Sequence, residues 1–427
     1  MSKNILDCLR TGFSEPIRDS LWGHVYLTAG IRALTECGPF MRLHRIMQLG
    51  PAFHVYPGAT HTRAGHSIGV YHLARRLLIS LAEQGAGERL SAEGVFSFLC
   101  AALLHDLGHF PYTHSLKELP LEVHERLTAK IIRLEPVKSL VKNAGGDPEF
   151  CAAIVDNSAP EQGKEILFYR KLLSGVLDPD KLDYLSRDAQ YCGVPYGAQD
   201  VDFILSRLHP HPEQGVNIDS RGIPSVESVL FSKYLMYRTV YWHRSVRSAT
   251  AMMKKILLGA LERGIIAGEE LYNLDDQGLF FLLDSRAAKD GALFSLASML
   301  RDGRLYETAA EIPFDQTGQK IRQELLDIRR RSSLEKSLAE ELSLNLGLDI
   351  LPEDIIIDIP EPISFESDLF VTDEERFFNN SSSAFKPELV EGFVKSLRII
   401  RIFMPEAKWS PKGCSILKIT QKWLQLE

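Results

Sequence analysis

The sequence predicts a mainly α protein, with a helical bundle over residues 1–265 and a smaller α+β region over residues 266–427. Two patterns indicate this arrangement. Apolar residues recur at helical spacing through most of residues 60–265, whereas a β-branched run bounded by prolines follows at residues 353–371. A chain of 427 residues also exceeds the usual size of one hydrophobic core, so we expect two domains.

Two helices are predicted in the first part of the bundle. Residues 66–84, HSIGVYHLARRLLISLAEQ, carry apolar side chains at the spacing of one helix face. Residues 91–106, SAEGVFSFLCAALLHD, are apolar on nearly every side, which is typical of a buried helix. Ser91 is the expected N-cap of this second helix, and Gly108 is expected to end it.

The later elements follow from caps and periodicity. Asp178 and Pro179 provide an N-cap and a first-turn proline for a helix in DPDKLDYLSRD. Residues 225–264 predict one or two long helices, so the pattern is entirely helical up to residue 265. Residues 353–371, EDIIIDIPEPISFESDLFV, predict one or two strands.

Composition excludes several classes of protein. A net charge of −7 and a pI near 6.0 give no general attraction to nucleic acids or anionic membranes. The chain contains no run of about 18 apolar residues, the length that a membrane span needs. The initial MSKNILDCLR lacks the apolar core of a signal peptide, and the cysteines show no C-x-x-C pairing. We therefore expect a cytoplasmic protein with no membrane association and no strong nucleic-acid binding.

Histidines concentrate in one part of the sequence. Nine of the 13 lie between residues 44 and 124, namely His44, His54, His61, His66, His72, His105, His109, His114 and His124. A single histidine on an apolar face is usually structural, but a group of histidines with carboxylates is a common ligand set for Mn, Fe, Ni or Zn. His105 and Asp106 end a buried helix, where burial of either side chain without a partner would be energetically unfavourable.

Two further side chains complete the predicted metal site. His66 opens the amphipathic helix upstream, and Asp180 lies in the first turn of the helix that begins at Pro179. Residues 180, 184 and 188 are four apart and share one helix face, although a solvated charged face is the alternative interpretation. The predicted ligands of one divalent ion are therefore His66, His105, Asp106 and Asp180. The ion's identity among Mn, Fe, Ni, Zn and Mg stays open.

The order of these residues resembles a known signature. His66, the His105–Asp106 pair and Asp180 look like the metal-binding residues of the HD-domain phosphohydrolases. The likeness is closest to the HD-domain deoxynucleoside triphosphate triphosphohydrolases, since it extends over RLHRIMQLGPAFHVYPGATHTRAGHSIGV, LLHDLGHFPYTH, VHE and LDPDKLDYLSRD. It covers about residues 40–250, so the helical bundle is expected to be an HD domain.

The resemblance also implies roles for other residues. His114 matches a principal catalytic histidine and His109 and His124 match assisting ones, although all three could instead only orient the metal ligands. The implied substrate-binding residues fall into phosphate contacts and nucleoside contacts. The former are Arg63, Lys181 and Lys233, with Arg238 on the same long helix; the latter are Gln48, Tyr184, Asp188 and Tyr241.

Some of these assignments have alternatives. Lys233 and Arg238 could equally belong to an ordinary exposed helix face. Tyr241 lies eight residues after Lys233, a spacing that places both on one face of a continuous helix. Tyr184 matches a tyrosine that blocks the 2′ side of the sugar, which implies selection for deoxyribose.

The sequence departs from the family at several positions. Lys117 occupies the place of a carboxylate that tunes the histidine matching His114, and a lysine there disfavours the protonated imidazole. Glu118 could substitute if the turn is rearranged, and Phe110 replaces a common glycine. Met41 and His44 replace the glutamine and arginine that bind an activating nucleotide, so we expect either an unregulated enzyme or a different effector.

The predicted activity is metal-dependent hydrolysis of deoxynucleoside triphosphates to deoxynucleoside and inorganic triphosphate. One alternative is an HD phosphohydrolase that acts on another nucleotide, as a monophosphatase or phosphodiesterase. The other is a non-catalytic nucleotide sensor or scaffold, which the lysine at position 117 favours. The implied partners are a nucleotide substrate and further copies of the chain, in a homodimer or homotetramer.

Overall fold

The computed structural model describes residues 4–158, 160, 163–365 and 367–424. Helices dominate these residues and the sheets are small, so the predicted mainly α class with a smaller α+β region at the C-terminus is confirmed. The first helices are α1 (Ile5–Arg10), α2 (Ala29–Glu36), α3 (Gly38–Leu43), α4 (Arg63–Glu83), α5 (Ala92–Leu104), α6 (His124–Ile132), α7 (Val137–Asn143), α8 (Pro148–Val155), α9 (Lys164–Leu173) and α10 (Pro179–Cys192). The later helices are α11 (Val201–Arg207), α12 (Ile223–Met236), α13 (Arg244–Glu262), α14 (Asp276–Arg286), α15 (Gly291–Arg301), α16 (Gln319–Leu325), α17 (Ile328–Leu346), α18 (Pro387–Leu397), α19 (Glu406–Trp409) and α20 (Gly413–Leu424).

The strands form three separate sheets. They are β1 (Glu15–Asp19), β2 (Gly23–Leu27), β3 (Leu208–His211), β4 (Gly215–Ile218), β5 (Glu307–Pro313), β6 (Ile356–Asp358), β7 (Phe370–Val371), β8 (Arg376–Phe377) and β9 (Ile399–Met404). β1 and β2 form an antiparallel hairpin, and the second sheet has the order β3-β4-β7-β8. In the third sheet β9 is central and pairs antiparallel with both β5 and β6.

The predicted caps of the central helices are confirmed. The Ser91 side chain accepts a hydrogen bond from Gly94 N at 2.9 Å, which begins α5. The Asp178 carboxylate accepts one from Lys181 N at 2.6 Å, and Pro179 opens α10. These bonds satisfy amide groups that a helix leaves unpaired in its first turn. α4 lies between α5 and α10 and packs against both, and its side chains are buried through most of its length.

The expectation of an entirely helical pattern up to residue 265 is wrong at two places. β1 and β2 lie near the N-terminus, and β3 and β4 follow α11. Their sequences, EPIRD, GHVYL, LHPH and GVNI, are only four or five residues long and hold few β-branched or aromatic residues, so the local signal for a strand is weak. Pairing to neighbouring strands outweighs this weak local preference.

Gly108 has a different role from the one expected. α5 ends at Leu104, four residues earlier, and its C-cap His105 has right-handed helical angles. A Cβ atom at Gly108 would lie 2.2 Å from His124 O and 2.5 Å from Thr128 N. The glycine is therefore needed because the loop after α5 passes directly against the start of α6.

Residues 225–264 form two helices separated by a π-helical turn at Tyr237–Tyr241. The Trp242 amide donates to Tyr237 O at 2.9 Å, an i to i+5 bond that widens the turn. His243 then has non-helical backbone angles, and α13 begins at the next residue. The prediction of one or two long helices holds, but the turn changes the phase between α12 and α13.

The C-terminal sheet has its own apolar core with α16, α17 and α20. The segment between β6 and β9 returns to the first half of the chain, where Ile363, Phe365 and Phe378 join the core of the bundle. Arg247 of α13 and Asp358 of β6 connect the two parts by a bidentate ion pair, with distances of 2.8 and 2.6 Å. The division at residue 265 stays a prediction. None of the described helices combines the length and apolar character of a membrane span.

Candidate active site

The four predicted metal ligands lie at the ends of three packed helices. His66 is in the first turn of α4, Asp180 is in the first turn of α10, and His105 and Asp106 directly follow α5. His66 Nε2 lies 3.0 Å from Asp180 Oδ1. His105 Nε2 lies 3.3 Å from Asp106 Oδ1 and 4.0 Å from the same Asp180 oxygen. The ligand atoms of His66, His105 and Asp106 are within 4.8 Å of one another, so these three residues could hold one metal ion.

Hydrogen bonds orient both histidines for metal binding. His66 Nδ1 is 2.9 Å from an Asp183 carboxylate oxygen, and His105 Nδ1 is 2.9 Å from Ala102 O. Carboxylate and carbonyl oxygens only accept, so each Nδ1 carries a proton and Nε2 is the atom of each ring that can bind a metal. His105 Nε2 is buried and has no hydrogen-bond partner among the described residues. This donor set fits a divalent metal ion.

The electrostatics of the site favour a positive charge at His66. Burial opposes the charged imidazolium, but hydrogen bonds to Asp180 and Asp183 raise the pKa of His66 to about 10. Burial alone would raise the pKa of Asp180, but the hydrogen bond from His66 outweighs burial and lowers this pKa. A divalent cation would compete with the His66 proton for these carboxylates, so metal binding should release protons.

Arg63, the first residue of α4, lies beside the predicted ligands. Its NH1 group donates to Asp106 Oδ2 at 2.7 Å, and both side chains are buried. Arg63 Nε is also buried and has no partner among the described residues. The guanidinium therefore orients Asp106 and retains a donor for an anion.

Three histidines form a second group next to Asp106. The rings of His109 and His124 have centroids 3.9 Å apart, and His109 Nε2 is 3.1 Å from His114 Nε2. His109 Nδ1 is 3.2 Å from Asp106 Oδ1, and Asp106, His109 and His124 also have the spacing of a possible metal group. His109 is fully buried, whereas His114 is exposed and is therefore the histidine accessible to a ligand. Burial and the charge of Arg63 hold the pKa of His109 well below its ordinary value.

A polar and aromatic wall continues along α10 from Asp180. Tyr241 donates its hydroxyl to Asp188 Oδ2 at 2.6 Å, and His61 Nε2 lies 2.8 Å from Asp188 Oδ1. Burial and the Asp188 charge raise the pKa of Tyr241 well above its ordinary value, so this hydroxyl keeps its proton. The half-buried ring of Tyr184 is 6.5 Å from that of Tyr241. Three of the residues predicted to contact a nucleoside are thus brought together.

Gln48 and Lys181 have other contacts in this structure. The Gln48 amide donates to His61 O at 2.9 Å, and its side-chain Oε1 is buried without a partner among the described residues. Lys181 Nζ donates to Gly175 O at 2.8 Å and to Asp178 Oδ2 at 2.7 Å. Lys181 therefore neutralises the N-cap of its own helix.

Lys233 and Arg238 donate hydrogen bonds to other parts of the protein. Lys233 Nζ donates to Ser364 O at 2.6 Å, whereas Arg238 is exposed and donates to the Tyr234 hydroxyl at 2.7 Å. Tyr241 instead reaches Asp188. The π-helical turn between them explains why Lys233 and Tyr241, eight residues apart, have different surroundings.

The structure also shows the surroundings of Lys117, which replaces the carboxylate expected beside His114. Lys117 is exposed at the end of a single turn that carries His114, whereas Glu118 is directed into the protein. Glu118 contacts Lys254 and Arg331, and Arg331 NH1 lies 3.1 Å from its Oε2 atom. Both carboxylate oxygens therefore have cationic partners, and a rearranged turn that brings Glu118 to His114 is not observed.

Two residues of this site have no role that the sequence predicts. Asp183 is the partner of His66, and His61 is the partner of Asp188. Asp183 follows Asp180 by three residues and so lies on the same side of α10, a signal that helical spacing offers. His61 belongs to the histidine-rich segment, but only the fold shows that it meets Asp188.

Two family models match most of the chain. Residues 63–188 match a model described as HD domain, and residues 200–384 match one described as HD associated region. The first interval begins at Arg63 and ends at Asp188. It therefore contains His66, the His105–Asp106 pair and Asp180.

Similar proteins come from bacteria and animals. YwfO of Bacillus subtilis is 39% identical over 220 residues, which cover 51% of this chain and 49% of that protein. The human deoxynucleoside triphosphate triphosphohydrolase SAMHD1 is 25% identical over 386 residues, which cover 80% of this chain and 62% of that protein. The crystal structure of a hypothetical protein from Aquifex aeolicus has a TM-score of 0.70 at 25% identity, and covers 94% of this chain and 99% of that one. The chain spans about half the length of the first curated relatives that it matches.

Proposed function

Because the chain belongs to the HD-domain family, we propose that it is a metal-dependent phosphohydrolase that converts deoxynucleoside triphosphates to deoxynucleoside and inorganic triphosphate. The observation that carries the proposal is the 3.0 Å approach of Asp180 to His66, across more than a hundred residues of sequence, beside the His105–Asp106 pair. The likeness to SAMHD1, whose name states this activity, supports the choice of substrate.

Each residue of the metal group has a defined task. His66, His105, Asp106 and Asp180 would hold one divalent ion, which supplies a Lewis acid for the phosphate and lowers the pKa of a bound water. Arg63 fixes the Asp106 carboxylate through its 2.7 Å contact and presents its remaining donor to a phosphate oxygen.

The reaction breaks the bond between the α-phosphorus and the 5′ oxygen. Water adds its oxygen to phosphorus, and the 5′ oxygen leaves with a proton. His114 is the proposed donor of that proton, because it is the exposed member of the histidine group and contacts His109 at 3.1 Å. His109 and His124 would hold its ring in place.

The proposed nucleoside contacts are Gln48, Tyr184, Asp188 and Tyr241. The buried Gln48 Oε1 atom, without a partner among the described residues, supports a polar contact to a base or sugar. Tyr184 is the proposed barrier to a 2′-hydroxyl group. Lys181, Lys233 and Arg238 remain proposed phosphate contacts, and each would have to exchange its present protein partner for phosphate.

We further propose a cytoplasmic homodimer or homotetramer. In this proposal residues 1–265 form the catalytic domain and residues 266–427 form a region for assembly or regulation. The Arg247–Asp358 ion pair, buried between these two regions, supports a mechanical connection from one to the other.

Product analysis tests the proposed reaction. The full chain is incubated with Mn²⁺ or Mg²⁺ and a panel of nucleotides, and the products are separated by anion-exchange chromatography. Inorganic triphosphate from deoxynucleoside triphosphates is the expected product. Orthophosphate would instead favour another phosphohydrolase activity, and nucleotide binding without any product would favour a sensor. His105→Ala, which removes a proposed ligand, should lose both bound metal and turnover.

A further inference from the structure

A fully buried carboxylate lies behind the proposed metal site. Asp183 has no solvent exposure, and its Oδ2 atom is 2.9 Å from His66 Nδ1 and 2.8 Å from Arg187 Nε. Its Oδ1 atom accepts from Arg187 NH2 at 2.9 Å and from Trp22 Nε1 at 2.5 Å. Four donors therefore converge on one acceptor, which fixes the carboxylate and, through it, the ring of His66.

The contacts continue from Asp183 to the N-terminal hairpin. Arg187 NH1 donates to Asp19 Oδ2 at 3.0 Å. Asp19 is the last residue of β1, and its Oδ1 atom accepts from the amides of Leu21 and Trp22, both at 2.8 Å. The same aspartate thus binds Arg187 and closes the turn between β1 and β2.

The turn of the hairpin is also attached to the end of α10. Ser20 Oγ lies 2.9 Å from the Tyr191 hydroxyl, and Gln190 donates to Ser20 O at 3.3 Å. Residues 19–22, which we call the hairpin tip, therefore rest on the helix that carries Asp180, Asp183 and Arg187.

The helix opposite α10 leaves room for this network. Gly69 of α4 is one turn after His66, and a Cβ atom there would lie 1.9 Å from Asp183 Oδ1 and 2.5 Å from Arg187 NH2. Any side chain at position 69 would displace both groups. The two helices therefore approach closely at the point where the carboxylate meets the histidine.

A buried ion pair by itself is weak grounds for a functional role, because such pairs also occur as ordinary packing features. The pattern here is more specific. The donors on Asp183 come from the proposed ligand His66, from α10 and from the hairpin tip, so one group links all three. The single positive charge of Arg187 balances only one of the two carboxylates that it binds, those of Asp183 and Asp19. The three side chains together therefore keep a net negative charge next to the His66 ring.

We propose that Asp183, Arg187, Asp19 and Trp22 are positioning residues that couple the hairpin tip to the affinity of the metal site. The inference rests on the metal site of the proposed function. Metal binding through His66 Nε2 strengthens the bond from Nδ1 to Asp183 and so tightens the hairpin tip. By reciprocity, loss of a tip contact weakens metal binding.

Metal affinity of the full-length chain is the direct test. The protein is stripped with a chelator, and Mn²⁺ binding is measured by isothermal titration calorimetry. Asp183→Asn should weaken binding by about 10- to 100-fold, the usual effect of removing a partner of a metal-binding histidine. Trp22→Phe deletes one donor to Asp183, keeps an aromatic side chain and should weaken binding by a smaller factor.

Two controls separate the coupling from other effects. Asp202→Asn removes an exposed ion pair between α11 and Arg76 of α4, and should leave Mn²⁺ affinity unchanged. His105→Ala should remove Mn²⁺ binding altogether. If His105→Ala still binds Mn²⁺ normally, the proposed metal site itself is wrong. If it loses Mn²⁺ while Trp22→Phe and Asp183→Asn bind as tightly as the parent chain, only the coupling is overturned.

The reciprocal effect has an independent readout. Hydrogen exchange of the Leu21 and Trp22 amides should slow when Mn²⁺ is added to the parent chain, and should not change in His105→Ala. Trp22→Phe keeps the backbone amides that donate to Asp19. Hydrogen exchange of these amides in Trp22→Phe therefore also reports whether the hairpin tip still folds. Equal exchange with and without bound Mn²⁺ in the parent chain would overturn the coupling.

Discussion

Replacing Arg42 by methionine should loosen the loop that carries the histidine group. Arg42 lies in α3 and is buried. Its NH1 group donates to His109 O at 2.6 Å and Leu274 O at 2.9 Å, and its NH2 group donates to Leu107 O at 2.5 Å. One guanidinium thus connects α3, the loop after α5 and the segment before α14.

The magnitude follows from these three contacts. A hydrogen bond from a charged donor contributes about 1.5–3 kcal/mol, so the three bonds together contribute about 4.5–9 kcal/mol. Burial of the charge opposes this gain, since it lowers the pKa of Arg42 to about 10, which corresponds to a cost of about 3 kcal/mol. Arg42→Met should therefore reduce the free energy of unfolding by about 3 kcal/mol.

Urea denaturation followed by circular dichroism measures this change. Arg42→Lys should be intermediate, because one ammonium group cannot span three carbonyls as a guanidinium does. Arg32→Met is the matched control: Arg32 lies in α2, and its pair with Glu36 is exposed, so its loss should change stability by less than about 0.5 kcal/mol. An Arg42→Met variant as stable as the Arg32→Met control would refute the reasoning.

Three further outcomes are expected. Lys117→Glu should raise turnover several-fold, because a carboxylate beside His114 favours its protonated form; an unchanged rate would show that the lysine is harmless. Tyr184→Ala should reduce the preference for deoxyribonucleotides over ribonucleotides by about 10- to 100-fold in competition assays, while Tyr184→Phe keeps it. Although burial opposes ionisation, the Arg247 charge lowers the pKa of Asp358, so their pair stabilises the fold above pH ~4 and is lost as the pH falls further. The urea midpoint should therefore fall less steeply with acid in Asp358→Asn than in the parent chain, and parallel curves would contradict this.

Local chemistry made part of the fold predictable. Ser91 and Asp178 cap their helices as their residue types indicate, since an N-cap depends on only three or four neighbouring residues. β3 and β4 could not be predicted in this way. Their residues become strands because β4 pairs with β3 and with β7, which lies more than 150 residues later.

The residues of the candidate site show the same difference between local signals and long-range contacts. The His105–Asp106 pair and Asp180 are recognisable because each lies at a helix end with a clear local signal. Asp183 and His61 are not, because their significance depends on partners that only the packing of helices supplies. Spacing arguments also fail across residues 237–241, since a π-helical turn cannot be read from the periodicity of an otherwise regular helix.

The charges around the site lead to a final expectation about nucleotide binding. Lys181 is paired with Asp178, Lys233 with Ser364 O, and Arg238 with the Tyr234 hydroxyl, so each of these three proposed phosphate contacts already has a protein partner. Arg63 keeps its Nε group for an anion, while its NH1 group donates to Asp106. A triphosphate would have to disrupt these contacts, in a protein whose net charge is −7. Most of the favourable charge for a triphosphate must therefore come from the divalent ion. Chelation should abolish nucleotide binding in equilibrium dialysis and not merely slow turnover, whereas equal affinity with and without metal would mean that the protein cations suffice.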